Sequence, residues 1–371
     1  MKRLLALLIV AFFMLPTYVG AAEEYDEYIV QFKGNAANGL LNAFGIEEDQ
    51  VIHEFDLLPV YQLELTDDQA DALLGHPQVK ALEDNAEVQK LGQVPYGVTR
   101  VQGVTAQNAG FNGNGIRVAV LDTGIDRSHP DLQANVRGGY SVFTDVANRD
   151  PYFDGDGHGT HVAGTVAAAR NGVGVIGVAP NASLYAVKVL NNNGSGSLAG
   201  IAQGIEWSVN NNMNVINMSL GSSQGSSILQ AYTDLAYQRG ILVVAAAGNS
   251  GNAAGNTDTV NFPARYSSAM AVAATDQNNR RGSFSSTGPT VEISAPGVGV
   301  LSTLPGNRYG SLNGTSMAAP HVAGVAAQVW QAKPNLSNVQ LRQLLNSTAT
   351  PLGSSFQYGS GLVQSANAIN R

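Results

Sequence analysis

The sequence contains no cysteine, has few charged residues and carries no apolar run long enough to cross a bilayer. Among its 371 residues the absence of Cys excludes disulfides, cysteine-ligated zinc, iron–sulfur clusters and a thiol nucleophile. Charged residues make up only 13% and Gly accounts for 42 positions, which is a globular, loop-rich composition, neither disordered nor coiled-coil. The net charge of −8 argues against nucleic-acid binding.

The first 22 residues have the pattern of a secretory signal peptide. A basic start at Lys2 and Arg3 precedes an unbroken apolar run of 12 residues at 4–15, which is too short to span a membrane. Pro16 and small residues at 19–22 follow. The alternative is a buried N-terminal helix. We expect cleavage after residue 21 or 22 and an exported, soluble protein without a membrane or nucleic-acid partner.

The two segments that follow carry charge of opposite sign. Residues 23–91 have 16 Asp and Glu against 3 Lys, a net charge of −13. Residues 92–371 have 15 Lys and Arg against 12 Asp and Glu, a net charge of +3. Oppositely charged segments in one exported chain are expected to pair. The sequence therefore predicts two domains after the signal peptide, at 23–91 and 92–371.

The acidic segment has the pattern β-α-β-β-α-β. Apolar and polar residues alternate in its strands, and Thr66 and Gln69 form a capping box at the start of its second helix. The predicted elements are strands at 28–32, 51–55, 60–65 and 79–82, a helix at 36–44 and a helix from Thr66 to Gly75. This order predicts a small ferredoxin-like α+β unit without a catalytic constellation of its own.

The second segment alternates short apolar runs with helical stretches. The predicted buried strands are 118–121, 184–190, 215–218, 241–246 and 269–274, and helices are predicted at 198–211 and 227–238. This alternation predicts a three-layer α/β fold around one parallel sheet. The chemistry of such a sheet belongs at the carboxyl ends of its strands.

Asp122 and His158 are the first two candidates for chemistry. Asp122 directly follows the strand at 118–121 and begins an Asp-Thr-Gly triplet, but an aspartic protease needs a second such triplet and the chain has none. A structural strand-end Asp is the alternative. His158 stands among glycines at the start of a helix expected to reach Arg170. A zinc site at His158 and His161 would need a third ligand, and the H-E-x-x-H motif is absent.

Ser316 and Asn249 are the other two candidates. Ser316, in Gly-Thr-Ser-Met-Ala-Ala-Pro-His at 314–321, begins a helix that ends before Pro334. Such a serine is commonly a helix N-cap, but a helix N-terminus also presents N–H groups to a developing oxyanion. Asn249 follows the strand at 241–246. It is either a turn residue or an amide donor.

Together, in the order Asp, His, Ser, these segments resemble the signatures of the subtilisin family of serine proteases. The resemblance covers essentially the whole chain, from signal peptide through an inhibitory pro-domain at 23–91 to a subtilisin-like α/β/α domain at 92–371. It implies that Ser316 attacks the scissile carbonyl, that His158 takes its proton and that Asp122 orients His158. Asn249 and the Ser316 N–H would form the oxyanion hole. The position of His161 is structural in the family.

The same resemblance implies how a polypeptide substrate binds. It would add a β-strand between two segments whose glycines allow close approach, Gly194, Ser195 and Gly196 in one and Ser219, Leu220 and Gly221 in the other. Ordinary surface loops are the alternative for these segments. Asn261 stands where several relatives have Gly at the floor of the S1 pocket. That departure leaves open whether the largest P1 side chains are accepted.

A calcium site is implied as well. Asp131 matches the family's calcium-binding aspartate, and the loop at 171–175 matches one that supplies an amide and carbonyl oxygens, the donors that suit Ca²⁺. The predicted ligands are Gln93, Asp131, Ala169, Asn171, Val173 and Val175. Gln93 matches a calcium ligand of the family only if this chain is one residue shorter than the family's sequences just before Val94.

Finally, the resemblance implies a self-processing zymogen and a monomeric mature enzyme. Residues 88–91 would lie in the substrate groove, and cleavage after Leu91 would release a chain that starts at Gly92. Leu91 then also indicates a medium-sized apolar P1 preference. A catalytically inactive scaffold is one alternative. A selective processing protease is the other, although no acidic cluster stands at the substrate segments.

Overall fold

The computed structural model describes residues 25–34, 37–85 and 92–371. Contacts divide the chain into two compact units, Met1–Gln89 and Lys90–Arg371. The predicted signal peptide and the segment 88–91 lie outside the described residues, so the boundaries at 22 and 91 stay predictions. Within the described residues, no helix combines the length and the apolar character needed to cross a membrane.

The first unit is an antiparallel sheet with two helices. Its elements are β1 Asp26–Phe32, α1 Ala37–Ala43, a 3₁₀ turn Glu48–Gln50, β2 Val51–Glu54, β3 Val60–Leu65, α2 Asp67–Leu74 and β4 Val79–Asp84. The strand order is β2-β3-β1-β4, and every pair is antiparallel. Thr66 caps α2, with both hydrogen bonds of the capping box formed to Gln69. The chain order is thus β-α-β-β-α-β.

The second unit is built around a seven-stranded parallel sheet. Its elements are α3 Tyr96–Arg100, α4 Gly103–Asn108, β5 Arg117–Asp122, β6 Val136–Ser141, α5 His158–Ala167, β7 Ser183–Lys188, α6 Leu198–Asn210, β8 Val215–Met218, α7 Ser227–Gln238, β9 Leu242–Ala246, β10 Ala269–Thr275, β11 Val291–Pro296, β12 Val300–Leu304, β13 Arg308–Leu312, α8 Thr315–Ala332, α9 Asn338–Thr348, α10 Ser355–Tyr358 and α11 Ser365–Asn370. The strands β12 and β13 form a separate hairpin.

Helices cover both faces of the seven-stranded sheet. Alternate residues of a strand point to opposite faces, so Val118 and Val120 pack in one core with α5 and α8, while Ala119 and Leu121 pack in a second core with α6 and α7. Both cores are fully enclosed, which is why the strands are nearly continuous apolar runs. The predicted three-layer α/β/α fold is confirmed.

The strand order places a crevice at the end of β5. In the order β11-β10-β9-β8-β5-β7-β6, β6 and β7 lie on one side of β5 and β8 to β11 lie on the other, so the chain crosses from one side of β5 to the other between β7 and β8. Ligands of open α/β sheets bind beyond the carboxyl ends of the strands at such a point. Asp122 is the last residue of β5 and therefore lies at this edge.

One predicted helix ends earlier than its sequence pattern indicated. The helix α5 ends at Ala167, not at Arg170, because Ala168 has an extended conformation (φ −57°, ψ 131°). The next residue, Ala169, donates its N–H to the Asp131 carbonyl at 2.8 Å instead of continuing the helix. A contact distant in sequence overrides the local helix propensity of the alanines.

Candidate active site

Asp122 and His158 form a hydrogen-bonded pair at the carboxyl end of β5. Asp122 is fully buried, and His158 is the first residue of α5. His158 Nδ1 donates to Asp122 Oδ1 at 2.7 Å, since a carboxylate only accepts. This bond fixes the tautomer of the neutral imidazole and leaves Nε2 with a lone pair. The pair is thus prepared to accept a proton at Nε2.

The charges around His158 raise its pKa. Burial of the ring lowers the pKa, but the charge and hydrogen bond of Asp122, with the charges of Asp156 and Asp154, outweigh burial and raise the pKa of His158 from 6.5 to about 9. The His158 side chain remains 26% exposed. A reactant can therefore reach the ring, which is neutral toward alkaline pH.

A buried carboxylate, Asp154, ties the segment after β5 to the start of α5. Its Oδ1 accepts from Thr123 Oγ1 at 2.7 Å and from the Gly157 N–H at 2.8 Å, and its Oδ2 accepts from the N–H and hydroxyl of Thr160. Gly159 is needed at the start of α5, because a Cβ there would collide with the carbonyl of Gly124. These contacts hold Asp122 and His158 on one rigid support.

Ser316 lies in the first turn of α8 and is bonded to the segment after β8. Its hydroxyl donates to the Ser219 carbonyl at 3.0 Å, and the Ser219 hydroxyl donates to the Ser316 carbonyl at 2.7 Å. Passing a proton to His158 requires the Ser316 hydroxyl to turn away from Ser219. Looser nucleophile–base geometry of this kind is common without substrate.

Asn249 presents an amide N–H₂ beside the start of α8. Its Oδ1 accepts from the N–H and the hydroxyl of Thr315, at 2.9 and 3.0 Å. Two donors on the oxygen set the orientation of the amide, so that Nδ2 is the atom left to donate. The Ser316 N–H belongs to the first turn of α8, where N–H groups lack a helical acceptor. Both donors suit a developing oxyanion.

Two cavities at this edge contain the predicted substrate segments. One, of about 450 Å³, is lined by His158 and by both segments, 194–196 and 219–221. The other, of about 230 Å³, is lined by Asn249, Asn261 and Ser316. Leu220 and Gly221 line both cavities. The structure thus brings the predicted catalytic and substrate-binding residues to one edge of the sheet.

The side chain of Asn261 fills space in the smaller cavity. A Cβ on Gly221 would lie 3.0 Å from the Asn261 Cβ, and a Cβ on Gly248 would lie 2.9 Å from its Cγ. The Asn261 N–H donates to the Ala247 carbonyl at 2.9 Å, which fixes the backbone. Asn261 therefore narrows the cavity between two glycines.

The predicted calcium ligands come together around Asp131. This carboxylate is fully buried, with Oδ1 accepting from Asn171 Nδ2 and Oδ2 accepting from the Val175 N–H, both at 2.9 Å. Burial, and then the charge and hydrogen bond of Asp131, raise the pKa of Tyr309 to about 12. Gln93 joins the loop through its backbone, since its N–H donates to the Gly174 carbonyl at 2.6 Å.

The chemistry of this loop fits a calcium ion. Asp131 has no ion-pair partner in the described part of the chain, so its buried charge lacks a counter-charge. The Asn171 Oδ1 accepts from the Val173 N–H at 3.1 Å, but rotation of an amide exchanges its oxygen and nitrogen. Carboxylate, amide and carbonyl oxygens are the donors that Ca²⁺ prefers.

Four residues of the site were not identified from the sequence. Asp154 lies four residues before His158 and Thr315 directly precedes Ser316, and the site depends on their side chains to support His158 and Asn249. Lys188 lies within the predicted apolar strand at 184–190. A lysine inside such an apolar run was the feature of the sequence that could have identified it. Asp156, two residues before His158, also lines the larger cavity.

Known proteins resemble this chain over most of its length. A model of the subtilase family matches residues 113–361. The thermostable alkaline protease of Halalkalibacterium halodurans is 52% identical over 99% of this chain and 98% of that protein. Alkaline elastase YaB of a Bacillus species is 53% identical over 93% of this chain and 88% of that protein. Subtilisin Savinase of Lederbergia lenta is 58% identical over 74% of this chain and 98% of that protein.

A parallel sheet with Asp, His and Ser at its carboxyl edge, together with these matches, defines the class as a serine endopeptidase. The chain belongs to the subtilase family. The family resemblance inferred from the sequence is thereby confirmed.

Proposed function

We propose that this protein is a secreted endopeptidase of broad specificity, made as a self-processing zymogen, in which Ser316, His158 and Asp122 carry out the reaction. The observation that carries the assignment is the bond of 2.7 Å between His158 and buried Asp122 at the sheet edge that also holds Ser316. The His158 bond fixes a proton acceptor, and α8 supplies the nucleophile with N–H donors beside it.

The chemistry is the one established for serine proteases. Ser316 Oγ bonds to the scissile carbonyl carbon while its proton passes to His158 Nε2, and Asn249 Nδ2 and the Ser316 N–H donate to the oxyanion. The C–N bond then breaks, and the proton on His158 goes to the leaving amine. Water, deprotonated by His158, releases the acyl group from Ser316 and restores the enzyme.

We propose that substrates bind as an extended strand along 194–196 and 219–221, with the P1 side chain in the cavity that Asn261 narrows. Medium-sized apolar P1 residues then fit best. The test is Asn261→Gly, which enlarges the cavity. We expect its kcat/KM for Phe or Tyr at P1 to rise relative to Ala or Leu, and an unchanged ratio would contradict this role.

We propose a calcium site made by the Asp131 carboxylate, the Asn171 amide, the carbonyls of Ala169, Val173 and Val175, and Gln93. The ion would supply the missing counter-charge of Asp131 and hold the loop after α5. This proposal is supported by the Asp131 carboxylate, which is fully buried and forms no ion pair among the residues that the structure describes.

We propose that residues 23–91 act as the chain's own inhibitor and folding aid until cleavage after Leu91, and that the mature enzyme is an exported monomer. The support is the match with the Halalkalibacterium halodurans protease, which extends over 99% of this chain. The charges of opposite sign on the two segments favour their pairing.

One experiment tests the catalytic and the processing proposals together. Residues 23–371 and the Ser316→Ala variant are expressed with calcium and weighed intact. We expect only the parent to shorten to a chain starting near Gly92 and to react with a serine-directed inhibitor. If both shorten alike, another protease did the cutting. If neither shortens, an inactive scaffold becomes the better explanation.

A further inference from the structure

A lysine is buried beside the catalytic aspartate. Lys188 is the last residue of β7, and the parallel pairing of β5 with β7 sets it opposite Asp122. It is fully buried and is among the largest side chains with no exposure. Lysine is almost never fully buried without partners. The reaction steps given above do not use it, so its position needs another explanation.

The hydrogen bonds of Lys188 identify its charge state. Its Nζ donates to the Thr123 carbonyl, to the Phe153 carbonyl at 3.3 Å and to Asn192 Oδ1 at 2.9 Å. An ammonium has three N–H donors, which match these three acceptors, whereas a neutral amine would turn a lone pair toward one of them. The geometry therefore holds Lys188 as a cation. One of its acceptors belongs to the residue directly after Asp122.

Four carboxylates surround this cation and none forms a direct ion pair with it in the described part of the chain. Burial lowers the pKa of Lys188, and the charges of Asp154, Asp122, Asp150 and Asp156 oppose that effect. Three of these, Asp122, Asp156 and Asp154, also raise the pKa of His158. Another titratable neighbour of His158, His161, is held neutral because burial lowers its pKa to about 4. Lys188 is thus a cation that faces three of the carboxylates that also act on His158.

We propose that Lys188 is a positioning residue for catalysis, whose ammonium anchors the turn after Asp122 and offsets the negative charge around His158. Without this charge the carboxylates would hold the proton on His158 more tightly, and the base would become free only at higher pH. The inference rests on the proposed role of His158 as the base.

The test compares pH profiles of kcat/KM for the matured parent and Lys188→Met, both made as the full chain. Met has a similar length and no charge. We expect the rising limb to move upward by about one pH unit, which corresponds to about 1.4 kcal/mol of lost charge–charge interaction. Activity at neutral pH then falls about tenfold, while the variant approaches the parent at alkaline pH.

A matched control separates charge from structural support. Asn192→Ala removes one acceptor of the ammonium but keeps the charge, so we expect a lower melting temperature and an unmoved limb. A limb that stays in place in Lys188→Met would overturn the proposal, even if that variant melts earlier. A rising limb that moves to higher pH in both variants would also overturn it, because loss of structural support alone would then explain the shift.

Further variants keep the proposal testable if Lys188→Met does not fold. Lys188→Arg preserves the charge but changes the hydrogen bonds. We therefore expect the rising limb of its pH profile at the same pH as in the parent, whatever the change in kcat. A move of that limb to higher pH contradicts the proposal. His158→Ala tests the proposed role of His158 as the base separately from the proposed role of Lys188. If it keeps activity, the assignment of the base fails. If it is inactive while the limb of Lys188→Met is unmoved, only the role of Lys188 fails.

Discussion

Asp122 and Asp131 are both fully buried aspartates of the second unit, and their neighbours differ. Asp122 Oδ1 accepts from His158 and from the Thr123 N–H, whereas its Oδ2 has no partner in the described part of the chain. Both oxygens of Asp131 accept hydrogen bonds, from Asn171 and from the Val175 N–H. The Asp122 carboxylate is thus hydrogen-bonded to a titratable base, whereas the Asp131 carboxylate is hydrogen-bonded to a loop.

The difference teaches that burial alone does not tell a catalytic carboxylate from a structural one. An unpartnered buried oxygen such as Asp122 Oδ2 costs about 1–3 kcal/mol, which makes Asp122 a poor choice for stability alone. Its charge instead stabilises a protonated His158. Both oxygens of Asp131 accept hydrogen bonds from its own loop, and neither is bonded to His158. We expect substitutions at these two positions to separate activity from stability.

The largest expected effect is on activity, in Asp122→Asn. The amide keeps the shape of the carboxylate but removes its charge, and an amide N–H₂ facing Nδ1 would favour the wrong imidazole tautomer. We expect kcat/KM to fall by about 10⁴-fold, which is the loss known for the equivalent aspartate of other serine proteases, a member of this family among them. Steady-state kinetics on a peptide amide would measure it.

The control for this variant is its melting temperature. Above about pH 9, where His158 is neutral, we expect the thermal stability of Asp122→Asn to stay near that of the parent; at lower pH the variant loses the stability that Asp122 gives by charging His158. If the variant keeps most of its activity, or loses activity only because it unfolds, Asp122 is not distinguished from Asp131 as the catalytic aspartate.

The next effect is the pH dependence of the parent. The pKa of His158 is raised to about 9, and only the neutral imidazole accepts the Ser316 proton. As pH rises toward that value the neutral fraction grows about tenfold per unit, so kcat/KM should rise with pH well above 6.5, the ordinary value of histidine. A profile measured between about pH 6 and pH 11 gives the midpoint. A midpoint at or below 6.5 would show that Asp122 does not act on His158 as described.

Much of this architecture could be predicted from sequence, and the failures have physical causes. The strands at 118–121 and 215–218 stand out because both of their faces are buried. Strand β6 was missed because it is a sheet edge with two glycines, and β11 because Glu292 and Pro296 interrupt its apolar pattern. Edge strands lack the continuous apolar run that identifies a central strand.

The candidate active site, like the fold, has features that could be predicted from the sequence and features that could not. Short motifs identify the segments of Asp122, His158 and Ser316, since the residues of each motif are adjacent in the chain. Contacts between distant segments could not be predicted, such as the one that orients Asn249 through Thr315 or the three that surround Lys188. These depend on where the sheet places the ends of neighbouring strands.

The smallest expected effect on activity is in Asp131→Asn, where stability should change instead. The amide has only one oxygen, so either Asn171 Nδ2 or the Val175 N–H loses its acceptor, at a cost of about 1–3 kcal/mol in the free energy of unfolding. If the loop binds calcium, the parent's melting temperature rises with calcium concentration, because an ion that binds only the folded state stabilises it, and the variant loses this dependence. We expect kcat/KM and its pH midpoint to match the parent's, since Asp131 has no bond to His158. A shifted midpoint would mean that Asp131 acts on the base after all, and a calcium response kept by the variant would place the ion elsewhere.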